Sequence, residues 1–139
     1  MVVGHLHKEK IMNIIIYAAG ISSRMEKYLD HKIKAMIDLG NKKLIDYQLS
    51  WITKLNPDKL IIVIGKEHKI LVDYIGDMYN GIKITYITNP DYKSKGNMLS
   101  LWHAREYCNT DVIFTTSDLL CNKSDILNFT KDKKRNKIL

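Results

Sequence analysis

Residues 13–34 read NIIIYAAGISSRMEKYLDHKIK, and the rest of the chain is interpreted outward from this stretch. It begins with a short, β-branched, apolar run at 13–17, which is typical of a buried strand. A loop of small residues comes next, and such a loop lets a ligand approach the backbone closely. Its amides can bind an anion, and two cations within reach, Arg24 and Lys34, suggest that the anion is a polyphosphate. The predicted loop residues are Ala18, Ala19, Gly20, Ile21, Ser22 and Ser23.

Similar apolar runs recur at residues 60–64, 82–87 and 112–114, with little alternation between apolar and polar positions. Such runs are typical of strands that are covered on both faces, as in a parallel sheet. Apolar residues at helical spacing lie between the runs, and they predict helices over 44–55, 67–79, 97–108 and 125–130. The alternation predicts an α/β fold of three layers, a doubly wound, mostly parallel sheet with strand order 3-2-1-4.

The predicted strand order places the first and fourth strands side by side, at a switch point where ligands bind beyond the carboxyl ends of the strands. The first strand runs into the Gly20 loop, and the fourth is followed by Asp118. We therefore expect Arg24, Lys34 and Asp118 to share one crevice. Two cations for phosphate oxygens and a carboxylate for Mg²⁺ suit phosphoryl or nucleotidyl transfer, which needs no protein nucleophile.

Simpler interpretations exist for each residue. Arg24 and Lys34 could be surface cations, and Asp118 could cap a following turn. The loop is neither a dinucleotide fingerprint, because Gly20 is its only glycine, nor a Walker A loop. Lys66 follows the second strand, and a phosphate contact there is an open alternative. The remaining candidates are of two kinds. The histidines have no partner at ligand spacing, and the tryptophans lie on helix stripes, so we expect them in the core or at its boundary. They are His31, His68 and His103, and Trp51 and Trp102.

Charge and composition narrow the class of protein. The chain has 139 residues and a formal charge of +7, but residues 131–137 carry five cations and one anion. A solvated basic tail at 131–139 explains most of that charge, so we expect no nucleic-acid partner.

We expect an extension at 1–12 and one domain at 13–130. Residues 5–20 imitate a signal peptide, but their apolar run matches the other predicted strands, so we expect neither secretion nor a membrane. Cys108 and Cys121 are expected to be reduced thiols of a cytoplasmic protein.

Three segments together resemble a known family. They are Ala18–Met25 (AAGISSRM), Lys34–Ile37 (KAMI) and Leu44–Gln48 (LIDYQ). The chain is similar over residues 12–122 to the amino-terminal portion of the MobA-like NTP transferase superfamily, the nucleotidyltransferases that activate sugar phosphates and related alcohols. Ser22 stands where glycine is usual, and Ile33 stands where proline is usual. The resemblance implies that residues 18–23 hold a nucleotide, that Arg24 and Lys34 are catalytic and hold its phosphates, and that Asp118 binds Mg²⁺.

Residues 95–101 (KGNMLSL) followed by Ser117-Asp118 resemble the cytidylyltransferases that act on phosphocholine and inositol phosphate. This narrower resemblance implies CTP as donor, a phosphorylated alcohol or sugar as acceptor, and a position near the base for Gly96 and Asn97. Family members continue beyond the fourth strand with an acceptor half. The alternative is therefore a catalytically impaired, nucleotide-binding fragment or partner subunit, and a homo-oligomer is compatible with the sequence. A nucleic-acid-associated protein is a third hypothesis, which rests on the basic tail alone.

Overall fold

The computed structural model describes residues 12–20, 27, 33–93 and 96–131. These residues form one sheet and the helices that flank it. The strands are β1 (Met12–Ala18), β2 (Lys59–Gly65), β3 (Met78–Tyr79), β4 (Ile82–Asn89) and β5 (Asp111–Thr116). The helices are α1 (Leu44–Ile52), α2 (Lys69–Ile75), α3 (Asn97–His103) and α4 (Lys123–Lys131). The predicted α/β architecture is confirmed.

The sheet has the order β3-β4-β2-β1-β5. β1 lies between β2 and β5 and is parallel to both, and β2 is parallel to β4. The four predicted strands therefore run in the predicted order 3-2-1-4, and the detail that differs is the additional strand β3 at the edge. Because β1 and β5 are neighbours, the residues that follow each of them emerge at the same edge of the sheet.

The short strand β3 corrects the predicted helix over 67–79. α2 ends at Ile75, where Gly76 has a φ of 76°, a conformation that favours glycine. β3 then pairs antiparallel with β4 through Asn80 and Gly81, whose φ values of 48° and 81° are both positive. Two positive φ values are the signature of a tight hairpin turn. Asn80-Gly81 therefore closes a hairpin here and does not simply follow the end of the helix predicted over 67–79.

The other predicted helices are confirmed with different bounds, the first and third shorter than predicted and the last longer. α1 ends at Ile52 and passes into a 3-10 turn over Thr53–Leu55. α3 ends at His103, and a second 3-10 turn covers Arg105–Tyr107. α4 begins two residues earlier than predicted, and the amide of Ser124 donates to Asn122 Oδ1 at 3.2 Å, which caps its first turn.

The core lies on both faces of β1. Ile14 and Ile16 face α1, α2 and α4, where they pack with the apolar stripes of those helices. Ile15 faces the opposite side and packs with Ile61, Val63 and Ala104. All three isoleucines are fully buried, which explains why the strand shows no alternation of apolar and polar residues.

The β5 margin of the sheet is less completely covered. Phe114 is 45% exposed and stacks on Tyr17 of β1 with ring centroids 6.0 Å apart. Trp51 is buried, as expected, but Trp102 is 59% exposed, so its expected core or boundary position is wrong. The Arg105 guanidinium lies over the Trp102 ring, 4.3 Å from its centroid, which stabilises the exposed indole.

Cys108 and Cys121 are both free and half-buried, in agreement with the expected reduced thiols. Across the described ranges, no helix combines the length and apolar character that crossing a bilayer requires.

Candidate functional site

The end of β1 provides an open stretch of backbone. Ala18 and Ala19 are buried, whereas Gly20 is exposed. A Cβ at Gly20 would meet no atom of the described residues within 4 Å, so this part of the structure leaves the position open. The remaining predicted loop residues Ile21, Ser22 and Ser23, together with Arg24, lie outside the described residues, and their nucleotide-binding roles stay predictions.

Lys34 and Asp118 meet at this same edge of the sheet. Lys34 Nζ donates to Asp118 Oδ2 at 3.0 Å, although 84 residues separate the two in sequence. Lys34 begins a 3-10 turn whose Ala35 and Met36 are buried, and Ile33 before it is 4% exposed. These buried neighbours fix the backbone and leave the ammonium group free to reach outward. The predicted meeting of Lys34 with Asp118 is confirmed.

The electrostatics of the pair follow from its position. Burial raises the pKa of Asp118, but hydrogen bonds from Lys34 and Thr116 and the charge of Lys34 lower it further, so the pKa lies below its ordinary value. The carboxyl is therefore ionised at neutral pH. The two side chains are 39% and 40% exposed. An ion pair this accessible contributes only about 0–1 kcal/mol to stability, so a phosphate or a cation can separate it at little cost.

Gln48 of α1 fixes the turn that carries Asp118. Its Nε2 donates to the carbonyl oxygens of Thr116 and Leu119, the latter at 3.1 Å. The side chain is fully buried. In the sequence, Gln48 is the last residue of the LIDYQ segment, and no role is predicted for it. Its special role could have been inferred from the sequence. Gln48 is three residues after Ile45 and four before Ile52, so a polar side chain stands on the apolar face of the helix.

His68 joins the ends of β1 and β2. It is 4% exposed, its Nδ1 accepts a hydrogen bond from the Gly65 amide at 3.2 Å, and its ring is hydrogen-bonded to the backbone of Ala18. Burial lowers the pKa of His68 and outweighs the opposing effects of Ala18 and Glu67, so the imidazole is neutral at neutral pH. Tyr92 packs edge-on at 5.4 Å between ring centroids. His68 is thus a buried structural residue between the ends of β1 and β2.

Gly96 and Asn97 lie at the start of α3, beyond the carboxyl end of β4, and both are exposed. They are at the same edge of the sheet as Lys34 and Asp118, but β2 and β1 lie between β4 and β5. Asn89 fixes this end of β4, because its Nδ2 donates to Ser100 Oγ of α3 at 3.1 Å inside the protein. Lys66 follows β2 at the same edge and is exposed.

Mg²⁺ commonly takes one or two protein carboxylates and completes its coordination with phosphate oxygens and water. The described part of the chain contains no group of three or more His, Cys, Asp or Glu side chains placed to hold a metal ion. The ionised carboxylate of Asp118, at the same edge of the sheet as the exposed Gly20, fits a metal that arrives with a nucleotide.

Residues 14–133 match the family model of the MobA-like NTP transferase domain. The chain belongs to this family. The sheet order and the residues that meet at its edge agree with that assignment, and the resemblance seen in the sequence is confirmed.

Two relatives and one solved structure show which nucleotidyltransferases this chain is similar to. It is 30% identical over 97 residues to the choline-phosphate cytidylyltransferase of Streptococcus pneumoniae, covering 68% of this chain and 40% of that one. It is 24% identical over 111 residues to a UTP–glucose-1-phosphate uridylyltransferase of Haloferax volcanii, covering 80% and 45%. The solved CTP:phosphocholine cytidylyltransferase of S. pneumoniae superposes with a TM-score of 0.64 at 26% identity, covering 78% and 45%. The chain thus spans less than half the length of each of these relatives.

Proposed function

We propose that this nucleotidyltransferase-family chain transfers a nucleoside monophosphate, CMP from CTP, to a phosphorylated small alcohol or sugar and releases pyrophosphate. The observation that supports the proposal is the 3.0 Å contact between Lys34 Nζ and Asp118 Oδ2, at the edge of the sheet where β1 leads into the exposed Gly20. A cation, a metal-competent carboxylate and an accessible backbone are the three elements that a triphosphate requires.

In the proposed reaction, a phosphate oxygen of the acceptor attacks the α-phosphorus of the nucleotide. The new phosphorus–oxygen bond forms as the bond between the α-phosphorus and the bridging oxygen breaks, and that oxygen leaves with pyrophosphate. Both substrates already carry the reacting groups, so the protein contributes position and charge. Lys34 neutralises phosphate charge as a mobile point charge, and Arg24 is proposed to add a planar guanidinium.

Asp118 is the residue that would hold Mg²⁺, which, when bound, draws charge from the phosphate oxygens. With a metal–nucleotide complex in place, Lys34 would pair with phosphate oxygens and Asp118 would ligate the metal, so neither residue would need the other as its partner. The backbone from Ala18 to Ser23 is proposed to lie along the triphosphate. Gly96 and Asn97 are proposed to lie near the base.

CTP is proposed as the donor for two reasons. Residues 95–101 carry the cytidylyltransferase-like pattern KGNMLSL. The S. pneumoniae relative, at 30% identity, is a choline-phosphate cytidylyltransferase. The H. volcanii uridylyltransferase, at 24% identity, makes UTP the alternative donor.

Pyrophosphate release tests the proposal. The full chain would be assayed with Mg²⁺, each of the four common nucleoside triphosphates and a panel of phospho-alcohols and sugar phosphates. We expect turnover with CTP, and a loss of about a hundredfold in Lys34→Ala, comparable to removing one charge-stabilising group from an active site. Lys69→Ala is the matched control, because Lys69 forms a surface ion pair with Asp73 on α2. Equal turnover in Lys34→Ala and the parent contradicts the assigned role of Lys34.

The second candidate function is that of a nucleotide-binding fragment or partner subunit without turnover of its own. Its support is that the chain spans 40% of the S. pneumoniae relative and 45% of the H. volcanii relative. Calorimetry with Mg–CTP separates the candidates. Binding without turnover supports the fragment, whereas the absence of binding contradicts both.

A further inference from the structure

The turn that carries Asp118 is attached to α1 by a single amide group. Gln48 Nε2 donates to the carbonyl of Thr116, the last residue of β5, and to the carbonyl of Leu119, just beyond Asp118. These two carbonyls flank Ser117 and Asp118. Both N–H groups of one planar amide therefore engage the backbone on either side of the carboxylate.

A second attachment joins the same turn to β1. The Ser117 amide donates to the Tyr17 carbonyl at 3.0 Å, which continues the parallel ladder one residue beyond β5. The backbone around Asp118 is thus fixed from the helix side by Gln48 and from the strand side by Tyr17. A loop residue is normally placed less rigidly than one on a helix or strand, and these three bonds restore that rigidity.

The burial of Gln48 is informative because a buried amide is unfavourable without hydrogen-bond partners. The residue is fully buried on α1, where Ile45, Leu49 and Ile52 are buried as well. An apolar residue at this position would satisfy the packing and leave the Thr116 and Leu119 carbonyls without these donors. The amide therefore serves the turn.

We infer that Gln48 is a positioning residue that sets the turn of Ser117 and Asp118, and so places the Asp118 carboxylate where it meets Lys34. Its consequence for metal–nucleotide binding rests on the proposed function, whereas its effect on the turn does not. Gln48 touches neither nucleotide nor metal in this role, because it acts through the backbone.

Amide hydrogen exchange, followed by NMR on the full chain without nucleotide, tests the effect on the turn. Gln48→Met removes both donors and keeps the side-chain length. Each lost hydrogen bond contributes about 1 kcal/mol, so the Ser117 amide should exchange at least about tenfold faster. The amides of Ile15 and Ile62 in the central strands should keep their rates. Ser50→Ala on the same helix is the control, because Ser50 Oγ donates only within α1, to the Tyr47 carbonyl at 2.7 Å.

An unchanged Ser117 rate in folded Gln48→Met overturns the inference. If that variant fails to fold, the wild-type protein decides the question through scalar couplings between the Gln48 side-chain nitrogen and the carbonyl carbons of Thr116 and Leu119. Both couplings support the inference, and the absence of both overturns it.

A separate measurement tests the effect of Gln48 on metal binding by Asp118. It determines the affinity of the protein for Mn²⁺ in the presence of CTP from water-proton relaxation. Gln48→Met should weaken it about tenfold, in the same direction as Asp118→Asn, while Ser50→Ala matches the wild type. Unchanged affinity in Gln48→Met overturns the positioning of Asp118 for metal. A wild-type protein that binds no Mn²⁺–CTP contradicts the proposed function, and the Ser117 exchange rate then still decides the role of Gln48 in the turn.

Discussion

Lys34 Nζ and Asp118 Oδ2 lie 3.0 Å apart, and the two residues come from opposite ends of the described chain. Lys34 precedes α1, whereas Asp118 follows the last strand of the sheet. β1 and β5 are parallel, so the residues beyond both strands lie at one edge, and because the two strands are neighbours these residues emerge side by side. The pair is accessible, which suits a site whose partners are exchanged for ligands.

The first prediction concerns the stability of this pair. Lys34→Ala, Asp118→Asn and the double variant should each unfold within about 1 kcal/mol of the parent, because an exposed ion pair contributes little. Urea denaturation with a double-mutant cycle measures the coupling. A coupling of several kcal/mol would mean that the pair is a structural support and would count against a binding role.

Gly65 provides a steric prediction. A Cβ at this position would lie 2.8 Å from the Tyr92 ring, so Gly65→Ala must displace the ring or the end of β2. We expect a loss of about 1–3 kcal/mol in the free energy of unfolding, as for other overpacked sites. Gly20→Ala is the matched control, since among the described residues no atom lies within 4 Å of the Cβ it would add.

Adding Tyr92→Ala to Gly65→Ala checks the cause of that loss. The double variant should be more stable than the sum of the two single changes predicts, because removing the ring relieves the clash. Strict additivity would show that the backbone of β2, and not the ring, resists the substitution.

The lowered pKa of His68 leads to a prediction of how the free energy of unfolding depends on pH. Its pKa in the folded protein is lowered by burial, so the unfolded chain binds a proton near pH 6.5 that the folded chain does not. The free energy of unfolding should therefore fall as the pH drops below about 6.5, until the folded pKa is reached. Denaturation midpoints between pH 5 and 8 measure this.

His68→Gln isolates this contribution. The variant should be less stable than the parent at pH 7.5, and its stability should depend less on pH between 5 and 7. An identical pH profile in the parent and the variant would assign the dependence to other groups.

The Asn89–Ser100 contact gives a fourth prediction. Ser100→Ala leaves the buried Asn89 Nδ2 without its side-chain acceptor, and an unsatisfied buried donor costs about 1–3 kcal/mol. Ser50→Ala removes a hydroxyl that bonds only within its own helix and should change the free energy of unfolding by much less. Similar losses in the two variants would contradict the importance of the buried bond.

Much of the fold was predictable because buried parallel strands have a clear sequence signature. The uninterrupted apolar runs identified four strands, the rule for parallel crossovers left few topologies, and the common one among them has the order 3-2-1-4. β3 was missed because Met78 continues the helical spacing of α2 and Asn-Gly can end a helix as well as close a hairpin. The φ of Gly76, which sequence spacing does not reveal, decided between them.

The meeting of Lys34 with Asp118 was predicted from the same strand order, because the segments that follow β1 and β5 begin side by side at one edge. The roles of Gln48 and His68 were not predicted. Their partners are backbone groups of Thr116, Leu119, Gly65 and Ala18. Backbone groups are the same in every residue, so no pattern of side chains identifies which of them needs a partner.

β5 follows the other described strands in the sequence, and this sets the order in which the parts of the site are synthesised. A chain leaves the ribosome from its amino terminus. Lys34 emerges early, and its partner Asp118 emerges only after 84 further residues and the whole of β5. Contacts this distant in sequence form late, because the intervening loop must close first. A nascent chain that ends within α3 would therefore carry the lysine without its carboxylate, and the paired site exists only once the last strand of the sheet has been added.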